Sequence, residues 1–410
     1  MVPNGWELEK LDDIAKKVMV GIASAATHAY TDSGIRMLRN LNIKDGWIDD
    51  SDILHIEEGY EVQHKNKRLK AGDILTVRTG YPGLSAVVPS MYENAQCFTS
   101  LVTRLDQTRA LPDYVCRFIN SEYGKKFISS GEAGGAQKNV NAAMLKKMPI
   151  PLPPLPEQRK IAKILSTWDK AIATNEKLIA TSKQQKKALM QQLLTGKKRL
   201  VNPKTGKVFE GEWEETTVGA VASLTAGGTP STKHAEYWGG NIPWMNSGEI
   251  NLKQIYSVEG RITALGLSKS STKEIPQNSV LIALAGQGKT RGTVAINRIP
   301  LCTNQSIAAI MPDKEKLCAD FLYFNLDSRY KELRSMSTGD GGRGGLNLSI
   351  LKAVKLLTPK LNEQQKIASV LTTADNEIEV LEAKLAHFKQ EKKALMQQLL
   401  TGKRRVSLSS

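Results

Sequence analysis

Disulfide and metal chemistry have little to work with in this chain. Its 410 residues include four cysteines and five histidines. Cys97, Cys116, Cys302 and Cys318 lie far apart and form no CxxC pair, and His28, His55, His64, His234 and His387 are scattered. This excludes a zinc ribbon or a disulfide framework and predicts reduced core thiols in an intracellular protein. Long hydrophobic runs are missing too. The most apolar stretch, 280–285, is far too short to span a bilayer. The opening residues MVPNGWELEKLDD carry no apolar segment of signal-peptide type. A cytoplasmic protein with no membrane partner is expected.

Catalytic signatures are equally scarce. Leu284-Ala285-Gly286-Gln287-Gly288-Lys289-Thr290 follows an apolar run like a phosphate loop, but Ala283 stands where that motif needs glycine. A strand-to-loop turn is the better reading. Asn241-Ile242-Pro243-Trp244 approaches the Asn-Pro-Pro-aromatic loop of amino-methyltransferases, yet it lacks the first proline and no FxGxG-type loop precedes it. There is no HExxH and no nucleophile elbow. No catalytic residue and no metal ligand is assigned, which favours a binding or scaffolding protein. Acidic residues are the minority, 41 against 57 Lys and Arg, and the formal net charge of +16 favours a polyanionic partner, most simply double-stranded DNA.

What the chain does have is itself, twice. KKALMQQLLTGK occurs at Lys186–Lys197 and again, 206 positions on, at Lys392–Lys403. The same offset joins Glu157-Gln158 to Glu363-Gln364, Lys160-Ile161-Ala162 to Lys366-Ile367-Ala368 and Asp169 to Asp375. A period this long means two domains, each followed by the same helix. The expected plan is a first globular domain at 1–154, a spacer helix at 155–196, a basic linker at 197–210, a second globular domain at 211–360, a second spacer helix at 361–403 and a tail at 404–410.

The helices carry the clearest periodicity. In the second, Ile367, Leu371, Ala374, Ile378, Leu381, Leu385, Phe388, Lys392, Leu395 and Leu399 alternate steps of four and three, a heptad seam. In the first, Ile161, Leu165, Trp168, Ile172, Asn175, Ile179, Ser182, Lys186, Leu189 and Leu193 fill the same slots. Gly196 and Gly402 stand where a C′ glycine ends a helix. The cations after them, Lys197-Lys198-Arg199 and Lys403-Arg404-Arg405, suit a helix C-terminus or a phosphate. A stripe on a helix this long requires a partner. Pairing of the two helices within one chain, antiparallel, is favoured over a coiled coil between two chains. The fold class is therefore mixed α+β: two similar α/β globular domains, each followed by a long helix, with the helices forming an intramolecular antiparallel coiled coil of pseudo-twofold symmetry.

The globular units share only a sparse skeleton, so two readers of different short sequences are expected on one scaffold. Base edges are read by Arg, Lys, Asn and Gln, and phosphates are held by cations and hydroxyls. The loops after the apolar strands offer Arg78, Thr79 and Tyr81 in the first unit and Gln287, Lys289, Thr290 and Arg291 in the second. Glycine-rich loops add Gln137, Lys138 and Arg343. Lys65, Lys67 and Arg68 belong to the densest basic stretch, which suits a phosphate contact or a solvated face equally. Asn141 and Asn347, at matching places, read as helix caps or turns.

The tandem plan, the Pro-Leu-Pro-Pro-Leu-Pro-Glu-Gln-Arg-Lys-Ile-Ala run (Pro151 to Ala162), its partner at Leu361 to Ala368, the two Leu-Leu-Thr-Gly-Lys exits, Trp6 and Trp213, and Gly72-Asp73-Ile74-Leu75 together resemble the DNA specificity subunits of type I restriction–modification systems. The second unit departs at Asn278-Ser279-Val280-Leu281. The resemblance implies two target recognition domains, each reading half of a split, asymmetric site, and a helical spacer. It also implies no cofactor in this chain. Two modification subunits would bind S-adenosylmethionine and methylate adenine N6, and restriction subunits would use ATP and Mg. Two other classes compete: a self-contained DNA methyltransferase, and a coiled-coil adaptor that ignores DNA.

Overall fold

The computed structural model describes residues 2–24, 26–130, 139–286, 290–336 and 345–408. The chain divides into two compact units, Met1–Glu176 with Ala383–Ser410, and Lys177–Glu382. Each unit holds one globular head, part of the first long helix and part of the second.

In the first head an antiparallel sheet runs in the order Ala15–Val20, Leu101–Leu105, Ile74–Thr76, Ser85–Val87. Ile74, Leu101 and Leu105 belong to a core with Tyr114, Val115 and Phe118 of helix Pro112–Asn120. Leu75, Ala86 and Val102 belong to another core with Leu38, Tyr92 and Cys97. Burial on both faces explains why this strand is a continuous apolar run rather than an alternating one. A smaller sheet, in the order Tyr30–Thr31, Leu54–Ile56, Ile35–Leu38, Gln96–Cys97, includes a parallel pair with Met37 opposite Gln96.

The second head repeats the order with a fifth strand: Ala222–Ala226, Ile307–Pro312, Val280–Ala283, Val294–Asn297, Gln254–Ile255. Val280 and Ile282 pack with Phe321 and Phe324 of helix Ala319–Ser328, while Leu281 and Ala283 enter a different core. Gly72 and Asn278 take the same left-handed turn before the central strand, with φ +86° and +64°. Asparagine is one of the few side chains that tolerates it, so the departure from Gly-Asp preserves the backbone. Asn241–Trp244 lies inside strand Trp238–Met245, a structural role for the methyltransferase-like run.

An antiparallel ribbon closes each head. Glu7–Lys10 pairs with Pro149–Leu152, and Glu214–Thr217 with Lys355–Thr358. Asn141 and Asn347 cap the short helices just before, accepting the Met144 N–H at 2.8 Å and the Ile350 N–H at 2.9 Å. Chain direction then passes into the long helices, Leu155–Leu193 and Leu361–Leu399, 39 residues each and so about 58 Å. Gly196 and Gly402 end them at φ +71°.

The helices pair antiparallel within each unit. In the first, Lys392 Nζ meets Asp169 Oδ1 at 2.6 Å, Lys389 Nζ meets Glu176 Oε1 at 2.7 Å, and Trp168 stands edge-on to Phe388 with centroids 5.7 Å apart. In the second, Lys183 Nζ meets Glu382 at 2.6 Å and Lys186 pairs with Asp375. Shifting Asp169–Lys392 by the repeat offset gives Asp375–Lys186, the same pair with the helices exchanged. Ile161, Leu165, Ile179, Leu193, Ile367, Leu371, Ile378 and Leu399 are buried. Trp168, Ile172, Leu189, Leu381, Leu385, Phe388 and Leu395 are half-buried. The buried ones near the helix ends also enter the heads. Ile161, Leu165, Leu399 and Leu400 belong to the first head's core, and Leu193, Leu194, Ile367 and Leu371 to the second's. Each such side chain contributes about 1.5–3 kcal/mol by burial.

Candidate nucleic-acid interface

Two repeated side-chain devices seat each head on its helices. Gln158 receives the Leu111 N–H at 2.8 Å and donates to the Arg109 and Pro153 carbonyls at 2.9 and 2.8 Å. Gln364 receives the Cys318 N–H at 2.9 Å and donates to Lys316 and Pro359 at 3.0 and 2.9 Å. The neighbouring glutamates take the cations that follow the other helix. Arg405 binds Glu157 through two bonds of 2.7 Å, and Arg199 binds Glu363 at 2.6 and 2.7 Å. Arg405 also lies over the Trp6 ring and Arg199 over Trp213. These arginines, just beyond the helix ends, hold carboxylates. Burial pushes the Glu157 carboxyl up, but Arg405 and the Trp6 N–H outweigh it and hold it below the usual carboxylate range.

On this base the heads present their loops. In the first head, the loop joining Ile74–Thr76 to Ser85–Val87 carries Arg78, Thr79 and Tyr81. The Arg78 carbonyl accepts the Val140 N–H at 3.0 Å, and Arg78 Nε donates back to Val140 at 3.3 Å. In the second head the Leu284 carbonyl accepts the Leu346 N–H at 2.9 Å. The loop after the central strand and the chain just beyond the glycine-rich stretch, distant in sequence, therefore meet in both heads. Tyr81 projects with 77% of its surface exposed. Thr290 and Arg291 are half-buried, and the Thr290 carbonyl accepts the Thr293 N–H in a tight turn. Gln137, Lys138, Gln287, Lys289 and Arg343 lie outside the described residues.

The basic stretch is divided between internal and external work. Arg68 is bidentate on buried Glu61, with both bonds at 2.7 Å, and lowers that carboxyl's pKa. Lys67 Nζ donates to the Gly21 carbonyl at 2.8 Å, while Lys65 is exposed. A short relay links this turn to the loop carrying Thr79. Asn40 Nδ2 donates to Thr79 Oγ1 at 3.3 Å, Ser100 Oγ donates to Asn40 Oδ1 at 2.8 Å, and the Ser100 carbonyl accepts the Gly21 N–H at 2.9 Å. Asn40 and Ser100 are ordinary turn residues by sequence, and nothing in their spacing marks the role.

Burial pushes the Cys97 thiol up to about 12 and that of Cys302 to about 11. All four cysteines are free, as their spacing predicts. Among the described residues no group of three or more metal-binding side chains occurs, and no helix is long and apolar enough to cross a membrane.

A tandem of unlike loop-bearing heads on duplicated, paired helices defines a two-headed recognition protein. The chain belongs to the type I restriction–modification DNA specificity family, whose domain matches residues 3–184 and again 210–390. Its role is DNA recognition in such a system. It is 26% identical to the putative type I restriction enzyme MjaX specificity subunit of Methanocaldococcus jannaschii, covering 99% of this chain and 95% of that one. It is 30% identical over 288 residues to the EcoR124I/EcoR124II specificity subunit of Escherichia coli, covering 67% and 66%. The fold is shared with the S subunit of a type I restriction–modification system from M. genitalium, at TM-score 0.61, 14% identity and coverage of 100% and 99%.

Proposed function

We propose that each head reads one half of a bipartite, asymmetric duplex site and that the chain itself performs no chemistry. Two modification subunits would supply S-adenosylmethionine and methylate adenine N6, with the target base flipped into their pocket. Restriction subunits would add ATP- and Mg-dependent cleavage, all in the cytoplasm. Base contacts fall to Arg78, Thr79, Tyr81, Gln137 and Lys138 in the first head, and to Gln287, Lys289, Thr290, Arg291 and Arg343 in the second. Lys65 and Lys67 hold phosphate. The observation that carries this reading is the contrast between repeated seats and unlike loops: the arginine–glutamate pairs and the three glutamine bonds recur in both units, whereas the loop side chains do not.

Footprinting of the full chain with its modification partner tests it. Protection of two short blocks separated by a fixed unprotected gap is expected. A single continuous block would overturn the two-reader account. S-adenosylmethionine binding by the isolated chain would overturn its non-catalytic role.

A further inference from the structure

The first head meets its long helix over a cavity of about 640 Å³. Helix Leu155–Leu193 contributes Arg159, Lys163 and Ser166, which lie on one face at this spacing. Helix Pro112–Asn120 and the chain leading to it contribute Arg117, Asp113 and Gln107. Leu111, Pro112 and Ala162 form an apolar wall. The Arg117 side chain is 16% exposed and gives one bond of 2.6 Å to Asp169. Among the described residues its buried Nε has no hydrogen-bond partner. Arg159 and Lys163 are exposed, and among the described residues neither makes an ion pair.

The duplication supplies a control. A cavity of about 300 Å³ stands at the matching place in the second head. The bonds of Gln158 and Gln364 to the Leu111 and Cys318 N–H groups fix the match. They align Arg159 with Gln365, Lys163 with Ser369 and Arg117 with Phe324. Asp320, the counterpart of Asp113, is paired with Arg298. The second head is thus seated on its helix without any of the three cations. Seating does not account for Arg159 and Lys163. Lys160 and Lys366, by contrast, recur at the same offset and line neither cavity.

The cavity also lies away from the loops proposed to read bases. It takes in Ala71 and Gly72, before strand Ile74–Thr76, whereas Arg78, Thr79 and Tyr81 follow that strand. Three extended residues separate the two ends by about 10 Å.

We propose that this cavity binds a polyphosphate, the group that nucleoside di- and triphosphates carry. Arginine and lysine are the usual partners of phosphate oxygens, and Ser166 and Gln107 add a hydroxyl and an amide donor. Three cations against the one unpaired carboxylate, Asp113, suit several negative charges held close together rather than a single carboxylate. The volume falls within the range of small-molecule sites, about 300–1,000 Å³, and the apolar wall offers a surface for a nucleoside. The bound phosphates bridge the head's helix to the long helix and tighten the seat.

Calorimetric titration of the full chain with inorganic triphosphate, and in a parallel arm with a nucleoside triphosphate, tests this. Each should bind at a single site and raise the melting temperature. Arg159→Gln/Lys163→Ser gives the first unit the residues found at the second unit's seat. It should melt as wild type does without ligand and bind triphosphate at least about ten-fold more weakly. Lys163→Ser alone should weaken binding in the same direction, and Lys160→Gln should bind as wild type does. Equal affinity for the two probes assigns recognition to the phosphates, and tighter binding of the nucleotide adds the apolar wall. Failure of both probes to bind would overturn the site. So would unchanged binding by the double variant, or displacement of triphosphate by a duplex carrying the chain's DNA site.

Discussion

Arg405 and Glu157, 248 residues apart in sequence, meet through two bonds of 2.7 Å. The pair ties the chain's last residues to the first turn of the first long helix, and Arg199 with Glu363 does the same in the second unit. The Glu157 side chain is 2% exposed and that of Arg405 46%.

Arg405→Ala leaves a buried carboxylate without its cation. The variant should therefore be less stable than wild type, by less than a fully buried pair would cost because the arginine is half-exposed. Urea unfolding near neutral pH measures it. The folded Glu157 carboxyl lies below its usual 4.5, so the pair's contribution is present above that value and is lost as pH falls through the lowered one. The gap between variant and wild type should narrow as pH falls below 4.5.

Gln158→Ala removes three hydrogen bonds and leaves the Leu111 N–H and two carbonyls without that partner. At about 1 kcal/mol each, the expected loss is about 2–3 kcal/mol. Gln364→Ala should cost a similar amount. If either substitution left the denaturant midpoint unchanged, the glutamines would not be seating the heads.

The seam's charged pairs are testable by acid. Burial pushes Asp169 up, yet Lys392 and Arg117 hold its carboxyl below the ordinary 3.8. That stabilisation exists above the ordinary value and disappears as pH falls through the lowered one. Lys392→Met removes one of the two cations. Its acid unfolding should begin at higher pH than wild type, and a double-mutant cycle with Asp169→Asn should give a coupling of about 1 kcal/mol.

Arg78 is the sharpest test of base reading. Its Nε is turned to the Val140 carbonyl, which leaves the terminal nitrogens for a base edge. Arg78→Ala should cost about 1–3 kcal/mol of discrimination at one position of one half-site and leave the other half-site intact. Competition binding against single-base variants of the site reads it out.

The long helices were legible because their information is local. Heptad spacing, the Gly196 and Gly402 stops and the Asn141 and Asn347 caps are written within a few residues of where they act. The seats were not. Glu157 and Gln158 repeat at Glu363 and Gln364, but a repeated acid says nothing about a cation 248 positions away until the fold brings Arg405 to it. A usable signal was present, since Arg199 and Arg405 share the acids' offset and invite pairing. The loops after the central strands were legible as loops and not as neighbours of the chain beyond the glycine-rich stretch, because the Arg78–Val140 contact closes only through tertiary structure.

The most direct measurement is genome-wide mapping of methylated adenines in cells carrying the natural chain and in cells where residues 1–150 are replaced by the equivalent part of a relative. The account predicts that one half of the site changes while the other half persists. A change in both halves, or in neither, would contradict it.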